Sequence, residues 1–278
     1  MAVIKMNFLS QCLGMQTNVT ICLPSYSFKD RMDGREEVYV PGMKYQVLWL
    51  LHGGGGDDSD YVNFSNITRY ADDHKLAVVM PADYNMFYTD QHDGAKFFSY
   101  VTEELPKMCR AIFPFSDKRE DNFVGGLSMG SGGAMKCALL HPEMYAAALI
   151  MSGPGMRLHR KEDAFAVEFL NKVINGEDVS EYKAVEPYAE DLQMAIPAYN
   201  LIKEGIDLPK LFFACGGDDF LKSQVILGLR FYDKMGVKYF YEEIPGYKHE
   251  WDFWDLILRK AIKEWLPIRH SVIYPGEE

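Results

Sequence analysis

The stretch Asn122-Phe123-Val124-Gly125-Gly126-Leu127-Ser128-Met129-Gly130-Ser131-Gly132-Gly133-Ala134 decides how the rest of the chain reads. An apolar run of strand character, Asn122 to Gly126, passes through G-x-S-x-G at Gly126 to Gly130 and enters the helix-like run Ala134 to Leu140. A serine in that strand–turn–helix setting occupies a strained turn, and the glycines two before and two after it keep side chains apart where strand and helix converge. The turn presents the Ser128 hydroxyl to solvent. Such a hydroxyl is a weak nucleophile near neutral pH, so it needs a base within hydrogen-bond reach and a carboxylate that holds the base in one tautomer.

Working outward, Tyr45 to Leu51, Leu76 to Pro81, Ala146 to Met151, Leu211 to Cys215 and Lys238 to Ile244 are further short apolar runs, most of them separated by helix-like segments. Strands that alternate with helices imply βαβ units, a mainly parallel central sheet and helices on both faces. Val3 to Phe8 and Asn18 to Leu23, with Gly14 between them, read as two antiparallel strands at a sheet edge. The charged segment Asp30 to Gly42 reads as an exposed loop. Residues 1–278 form one domain on this reading. An insertion at 153–208, with a helical stretch Lys161 to Ile174, is either a cap over the site or a surface excursion.

Function in such sheets gathers at the carboxyl ends of the strands. In the α/β-hydrolase fold the partners follow the nucleophile in the order Asp or Glu, then His. Cys215-Gly216-Gly217-Asp218-Asp219-Phe220 closes one strand, and Pro245-Gly246-Tyr247-Lys248-His249-Glu250-Trp251 follows the last, before an amphipathic helix Trp251 to Trp265. Asp219 is favoured over Asp218 as the acid, and either can instead N-cap the next helix. His249 is the expected base, while His74, His92, His141, His159 and His270 read as ordinary residues.

The first core strand ends in His52-Gly53-Gly54-Gly55-Gly56, where this fold obtains an oxyanion-hole amide. The backbone N–H groups of Gly54 and Met129 are the candidates, with His52 supporting the loop. A phosphate cradle is discounted, because no G-x-x-x-x-G-K-[ST] and no nearby positive residue accompanies the glycines. Asp57, Asp58 and Asp60 lack the EF-hand pattern and are expected to cap the following helix. Trp251 and Trp254 read as core anchors, and the aromatic residues Tyr84, Phe87, Tyr88, Phe97, Phe98 and Tyr100 as a mixture of core and pocket lining.

Hydrophobic residues make up 48% and charged residues 25% of the 278, an ordinary globular balance. Lys and Arg total 29 against 40 Asp and Glu, a net charge of -11 that would repel nucleic acid and anionic membranes. Neither a signal peptide at the start nor a membrane-spanning run is expected. Cys12, Cys22, Cys109, Cys137 and Cys215 contain no C-x-x-C pair, which suits a reducing cytoplasm and gives no basis for structural zinc.

Taken together, His52-Gly53-Gly54, Phe87-Tyr88-Thr89-Asp90 followed by Glu103-Glu104-Leu105-Pro106, Gly126-Leu127-Ser128-Met129-Gly130, Asp219-Phe220-Leu221 and His249-Glu250-Trp251 resemble the tributyrin esterase group. That group lies in the esterase D-like superfamily with S-formylglutathione hydrolases, acetylxylan esterases and feruloyl esterases. The resemblance runs from about Met6 to Leu266. It implies a carboxylesterase for short acyl or aryl esters, including acylated sugars, with no cofactor or metal, often a homo-oligomer. It also implies Ser128 as nucleophile, Asp219 as acid, His249 as base, and Gly54 and Met129 as oxyanion amides. The tract after Asp90 lacks the tryptophan associated with formylglutathione hydrolases, which counts against a thioesterase. A non-catalytic binding protein of the same fold is the alternative outside enzymology.

Overall fold

The computed structural model describes residues 1–34, 37–156, 164–182 and 195–276. Eight strands form one sheet: β1 (Ala2–Leu9), β2 (Gln16–Leu23), β3 (Val47–Leu51), β4 (Ala77–Pro81), β5 (Asn122–Leu127), β6 (Ala147–Met151), β7 (Lys210–Gly216) and β8 (Tyr239–Ile244). Their order across the sheet is β1-β2-β4-β3-β5-β6-β7-β8. β1 pairs with β2, and β2 with β4, in antiparallel register. From β4 across to β8 every neighbouring pair is parallel.

Between and after the strands run α1 (Phe28–Met32), α2 (Asp60–Phe64), α3 (Ile67–Asp73), α4 (Phe97–Ser99), α5 (Leu105–Ile112), α6 (Met129–Leu140), α7 (Ala164–Asn175), α8 (Ala195–Lys203), α9 (Lys222–Lys234) and α10 (Trp251–Lys260). Wide π turns at Tyr100–Glu104 and Ala261–Trp265 join α4 to α5 and lengthen α10.

The strands β3, β4, β5 and β6 are buried along their full length, as strands covered on both faces must be. Successive side chains point to opposite faces. Val47, Trp49, Leu51, Val124, Ala148 and Ile150 therefore enter a core shared with α6, α7 and α9. Leu48, Leu50, Phe123, Leu149 and Met151 enter a second core shared with α3 and α10. The parallel order sends the carboxyl ends of β3, β5, β6 and β7 to the same rim, where the candidate chemistry collects.

Two local expectations change. The segment Asp30 to Gly42 is not all exposed loop, because α1 reaches into it and Asp30 is buried against Lys75, Nζ to Oδ2 2.6 Å. Asp57 and Asp58 do not cap α2. Asp57 Oδ1 accepts from the amide and hydroxyl of Ser59, and Asp58 Oδ2 accepts from Thr20 on β2 at 2.6 Å. Only Asp60 sits in the first turn of α2. Of the 153–208 insertion, 157–163 and 183–194 lie outside the described residues, including His159 and the start of the helix expected from Lys161. In its described part, Phe169, Leu170 and Val173 of α7 and Ile196 of α8 are buried in the same core as Phe213 of β7.

The five cysteines are free, and all but Cys12 are buried. Burial pushes the thiols of Cys22, Cys109, Cys137 and Cys215 up to about 12. Among the described residues no helix is long and apolar enough to cross a membrane, and no group of three or more His, Cys, Asp or Glu is arranged to hold a metal ion.

Candidate active site

β5 ends at Leu127 and α6 begins at Met129, leaving Ser128 alone in the turn with φ of 52° and ψ of -116°. That left-handed conformation is strained for a residue with a side chain and persists only where its surroundings enforce it. The enforcement is visible. A Cβ on Gly126 would overlap the Gly130 backbone, and one on Gly130 would overlap the Leu51 carbonyl, so only glycines let β5, α6 and the end of β3 come this close. The Ser128 amide donates to Met151 O at 2.9 Å, and Ser131 Oγ donates to Ser128 O at 2.6 Å.

His249 follows β8 and brings Nε2 to 2.9 Å from Ser128 Oγ. Its Nδ1 lies 3.1 and 3.0 Å from the two oxygens of Asp219. A carboxylate accepts, so Nδ1 carries the proton and Nε2 turns its lone pair to the serine. Phe220 packs on one side of the imidazole, ring centroids 4.6 Å apart, and Trp254 meets it edge-on at 5.0 Å. The imidazole is 15% exposed and the Asp219 carboxylate fully enclosed, which keeps water from competing for their hydrogen bond.

Asp219 also accepts from the Leu221 amide at 2.8 Å, so it secures the entry to α9 while facing His249. Burial alone would raise its pKa. Hydrogen bonds from His249 and the Leu221 amide, with the charge of His249, outweigh burial, and the net shift is downward. Asp218 instead has its amide tied to Tyr247 O at 2.9 Å.

The glycine turn after β3 sits against the Ser128 turn: a Cβ on Gly53 would stand 2.5 Å from Leu127 Cδ1 and 3.5 Å from Ser128 Cβ. His52 holds this turn. Asp83 N donates to its Nε2 at 2.9 Å, so Nδ1–H donates to Gly53 O at 2.7 Å. Burial lowers the His52 pKa, which keeps the ring neutral and this pattern intact. Tyr88 donates to His52 O at 3.0 Å, and Asn85 Oδ1 accepts from the Gly55 amide at 2.6 Å.

Ser128, Asp219 and His249 are thus brought together, with Gly54 and Met129 on the two backbone segments beside them. Sequence reasoning missed Asn85, Asp83 and Ser152. A signal existed for the first two, since they lie just past the end of β4 on the same rim. Ser152 was visible only as the border of an insertion. The other described histidines stand elsewhere: His74 lies against His270 with the rings tilted by 56°, and His141 lies 3.2 Å from Glu143.

Known proteins share this arrangement of chain and fold. The Esterase family model matches residues 10–157. An acetyl esterase from Caldicellulosiruptor saccharolyticus is 29% identical over 272 residues, covering 96% of this chain and 98% of its own. Among solved structures, the Staphylococcus aureus fluorophosphonate-binding serine hydrolase FphF, substrate bound, aligns with a TM-score of 0.76 at 28% identity, over 96% of this chain and 98% of its own. The S-formylglutathione hydrolase of the same organism aligns at 0.72 and 28%, with the same coverage. The chain therefore belongs to the Esterase family and is a carboxylic ester hydrolase of the α/β-hydrolase fold.

Proposed function

We propose that the enzyme is a serine carboxylesterase for short-chain acyl esters, with Ser128 as nucleophile, His249 as general base and Asp219 as the carboxylate that orients it. The observation that carries this reading is the unbroken line of hydrogen bonds from Ser128 Oγ through His249 to Asp219. His249 Nε2 takes the Ser128 proton as Oγ bonds to the ester carbon, and the carbonyl oxygen becomes an oxyanion. The carbon–oxygen bond to the alcohol then breaks, and His249 returns the proton to the leaving alcohol. Water attacks the acyl-serine by the same path, its proton passing through His249 to Ser128 as the acid is released.

We assign the oxyanion to the amides of Gly54 and Met129. Met129 opens α6, at the positive end of the helix dipole, and the Gly53–Gly56 turn is seated against Ser128. The acetyl esterase relative supports an acetyl or similarly short acyl group. An acylated sugar or aryl alcohol as the other half of the substrate comes from the family resemblance. A thioester is the second reading, favoured by the S-formylglutathione hydrolase relative. We read residues 1–278 as one domain with the 153–208 insertion bordering the site, supported by the core that α7 and α8 share with β7. A cytoplasmic homo-oligomer is the matching cellular form, supported on the first point by the free cysteines.

Hydrolysis of aryl esters from acetate to octanoate, methyl ferulate and a glutathione thioester, by wild type and Ser128→Ala, tests the reading. The wild type is expected to prefer the short oxygen esters and Ser128→Ala to lose at least about 10^4-fold in kcat. Turnover that survives in Ser128→Ala would remove Ser128 from the mechanism, and a preference for the thioester would select the second reading.

A further inference from the structure

The Gly53–Gly56 turn is made only of glycine, the residue with the most backbone freedom to lose, and it is exposed at Gly54 and Gly55. An oxyanion donor works by being fixed before the charge develops, so something outside the turn must hold the Gly54 N–H. Gly56 N donates to Gly53 O at 3.2 Å and Gly55 has φ of 81°, which matches a type II turn with Gly54 and Gly55 at its centre. The Gly53–Gly54 peptide plane is held at its carbonyl, which accepts from His52 Nδ1 at 2.7 Å. The next plane, Gly54–Gly55, is held by Asn85, whose Oδ1 accepts from the Gly55 amide at 2.6 Å. Gly54 lies between two fixed planes, and a residue has only two soft torsions with which to move between them.

Asn85 is carried by a loop that keeps it in place. Tyr84, Asn85, Phe87 and Tyr88 have φ between 52° and 63°, a left-handed conformation that is strained in residues with side chains and persists only where the surroundings enforce it. Asp83 N donates to His52 Nε2, and Asp83 Oδ1 accepts from the Tyr88 amide, each at 2.9 Å. The Tyr88 hydroxyl donates to His52 O at 3.0 Å, and Lys136 of α6 donates to Tyr88 O at 3.2 Å and to Thr89 Oγ1 at 2.7 Å. Gly133 of α6 makes room for the Tyr88 ring, because a Cβ there would stand 2.6 Å from its Cδ2. The loop after β4 is thereby fastened both to the glycine turn and to the helix that Ser128 precedes. Asparagine suits its tip, since it tolerates left-handed backbone and carries an acceptor on a short side chain.

We infer that Asn85 is a positioning residue for ester hydrolysis: by accepting from the Gly55 amide it stops the Gly54–Gly55 peptide from flipping and keeps the Gly54 N–H aimed at the oxyanion. The inference rests on the assignment of the oxyanion to Gly54 and Met129. Removing an oxyanion donor outright costs on the order of 100- to 1000-fold in kcat, and letting one swing should cost about tenfold.

The test compares Asn85→Ala, Asn85→Gly and Gly54→Pro with wild type on a short aryl ester, with active sites counted by phosphonate titration. It also measures inhibition by a short-chain trifluoromethyl ketone, whose adduct with Ser128 carries the oxyanion. Asn85→Gly removes the acceptor while allowing the left-handed backbone without strain. Both Asn85 variants should lose about tenfold in kcat per active site with KM within about twofold, and should bind the ketone about tenfold more weakly. A role in stability alone would lower the number of active sites and leave the values per site unchanged. Wild-type kcat per site, a loss confined to KM, or unchanged affinity for the ketone would each overturn the inference. If neither variant folds, Asn85→Gln, whose extra methylene displaces the oxygen, decides by the same criteria. Gly54→Pro deletes the N–H itself at a turn position that proline favours, and among the described residues a Cβ on Gly54 would meet nothing nearer than Asn85 Oδ1 at 4.0 Å. A loss of about 100-fold or more in Gly54→Pro beside normal Asn85 variants removes only the positioning role. Wild-type kcat in Gly54→Pro instead removes Gly54 from the oxyanion hole, and the role of Asn85 falls with it.

Discussion

Gly130 is the second residue of α6, a place where alanine would ordinarily favour the helix by about 1 kcal/mol. Here the sign should reverse, because the added methyl would overlap the Leu51 carbonyl and stand 2.7 Å from that of His52, both backbone atoms held by β3 and the glycine turn. Gly130→Ala is expected to destabilise by about 1 to 3 kcal/mol and to reduce kcat, read by thermal melts and ester kinetics. A raised melting temperature with full activity would show slack that the structure denies. If Asp219 orients His249 as proposed, Asp219→Asn, which keeps the shape of the side chain but removes its charge, should lower kcat on the order of 10^4-fold in a folded protein. Ser128, Asp219 and His249 stood out in the sequence as candidates because each lies in the turn or loop after a strand, where a pattern of apolar run, turn and polar residue is conspicuous. Ser152 did not. It is an ordinary polar residue whose partner, the Trp254 indole, is remote in the chain.

At the scale of elements, α1 shows how little local sequence need reveal. Ser27 and Asp30 form a reciprocal cap, with the Ser27 amide and hydroxyl donating to Asp30 Oδ2 at 2.9 and 2.6 Å. A helix of five residues has too few turns for periodicity, and its charges made it read as loop. What holds it is Lys75, which follows α3 and is buried with Asp30. Burial would raise the Asp30 pKa, but the hydrogen bonds from Lys75 and Ser27 prevail and lower it to about 2. A folded value below the unfolded one near 3.9 gives stability that is present above about pH 4 and is lost as the pH falls from there towards 2. Lys75→Met leaves that carboxylate buried without its cation and should cost about 3 to 5 kcal/mol at pH 7 in urea unfolding. The gap from wild type should narrow through the same acid window. A constant gap would place the loss in packing rather than charge. The core strands presented no such difficulty, since an apolar run marks even a five-residue buried strand, and each was anticipated within two residues of its observed ends.

For the molecule as a whole, alternate side chains of the same central strands feed two cores on opposite faces of the sheet. Neither core can be dismantled while the other keeps its strands. Far-UV circular dichroism and tryptophan fluorescence should therefore report coincident unfolding curves, with Trp49 in one core and Trp254 in the other. Separated transitions would mean that the faces, or the 153–208 insertion, melt independently. Fold class and strand order along the chain were legible because parallel strands buried on both faces must be short and apolar. The course of the insertion was not, since α7 is placed by its packing against α8 and α9.

The burial of the cysteines has a kinetic consequence. Thiolate, not thiol, attacks an alkylating reagent. At pH 8 the four enclosed cysteines, pushed up to about 12, are protonated as well as shielded. Iodoacetamide should thus reach Cys22, Cys109, Cys137 and Cys215 only when the sheet opens, and Cys137 lies on α6 beside the nucleophile turn while Cys215 sits on β7, which leads to Asp219. Mass spectrometry of each site over time then turns the native enzyme into its own clock, timing separately the local opening of β2, α6 and β7.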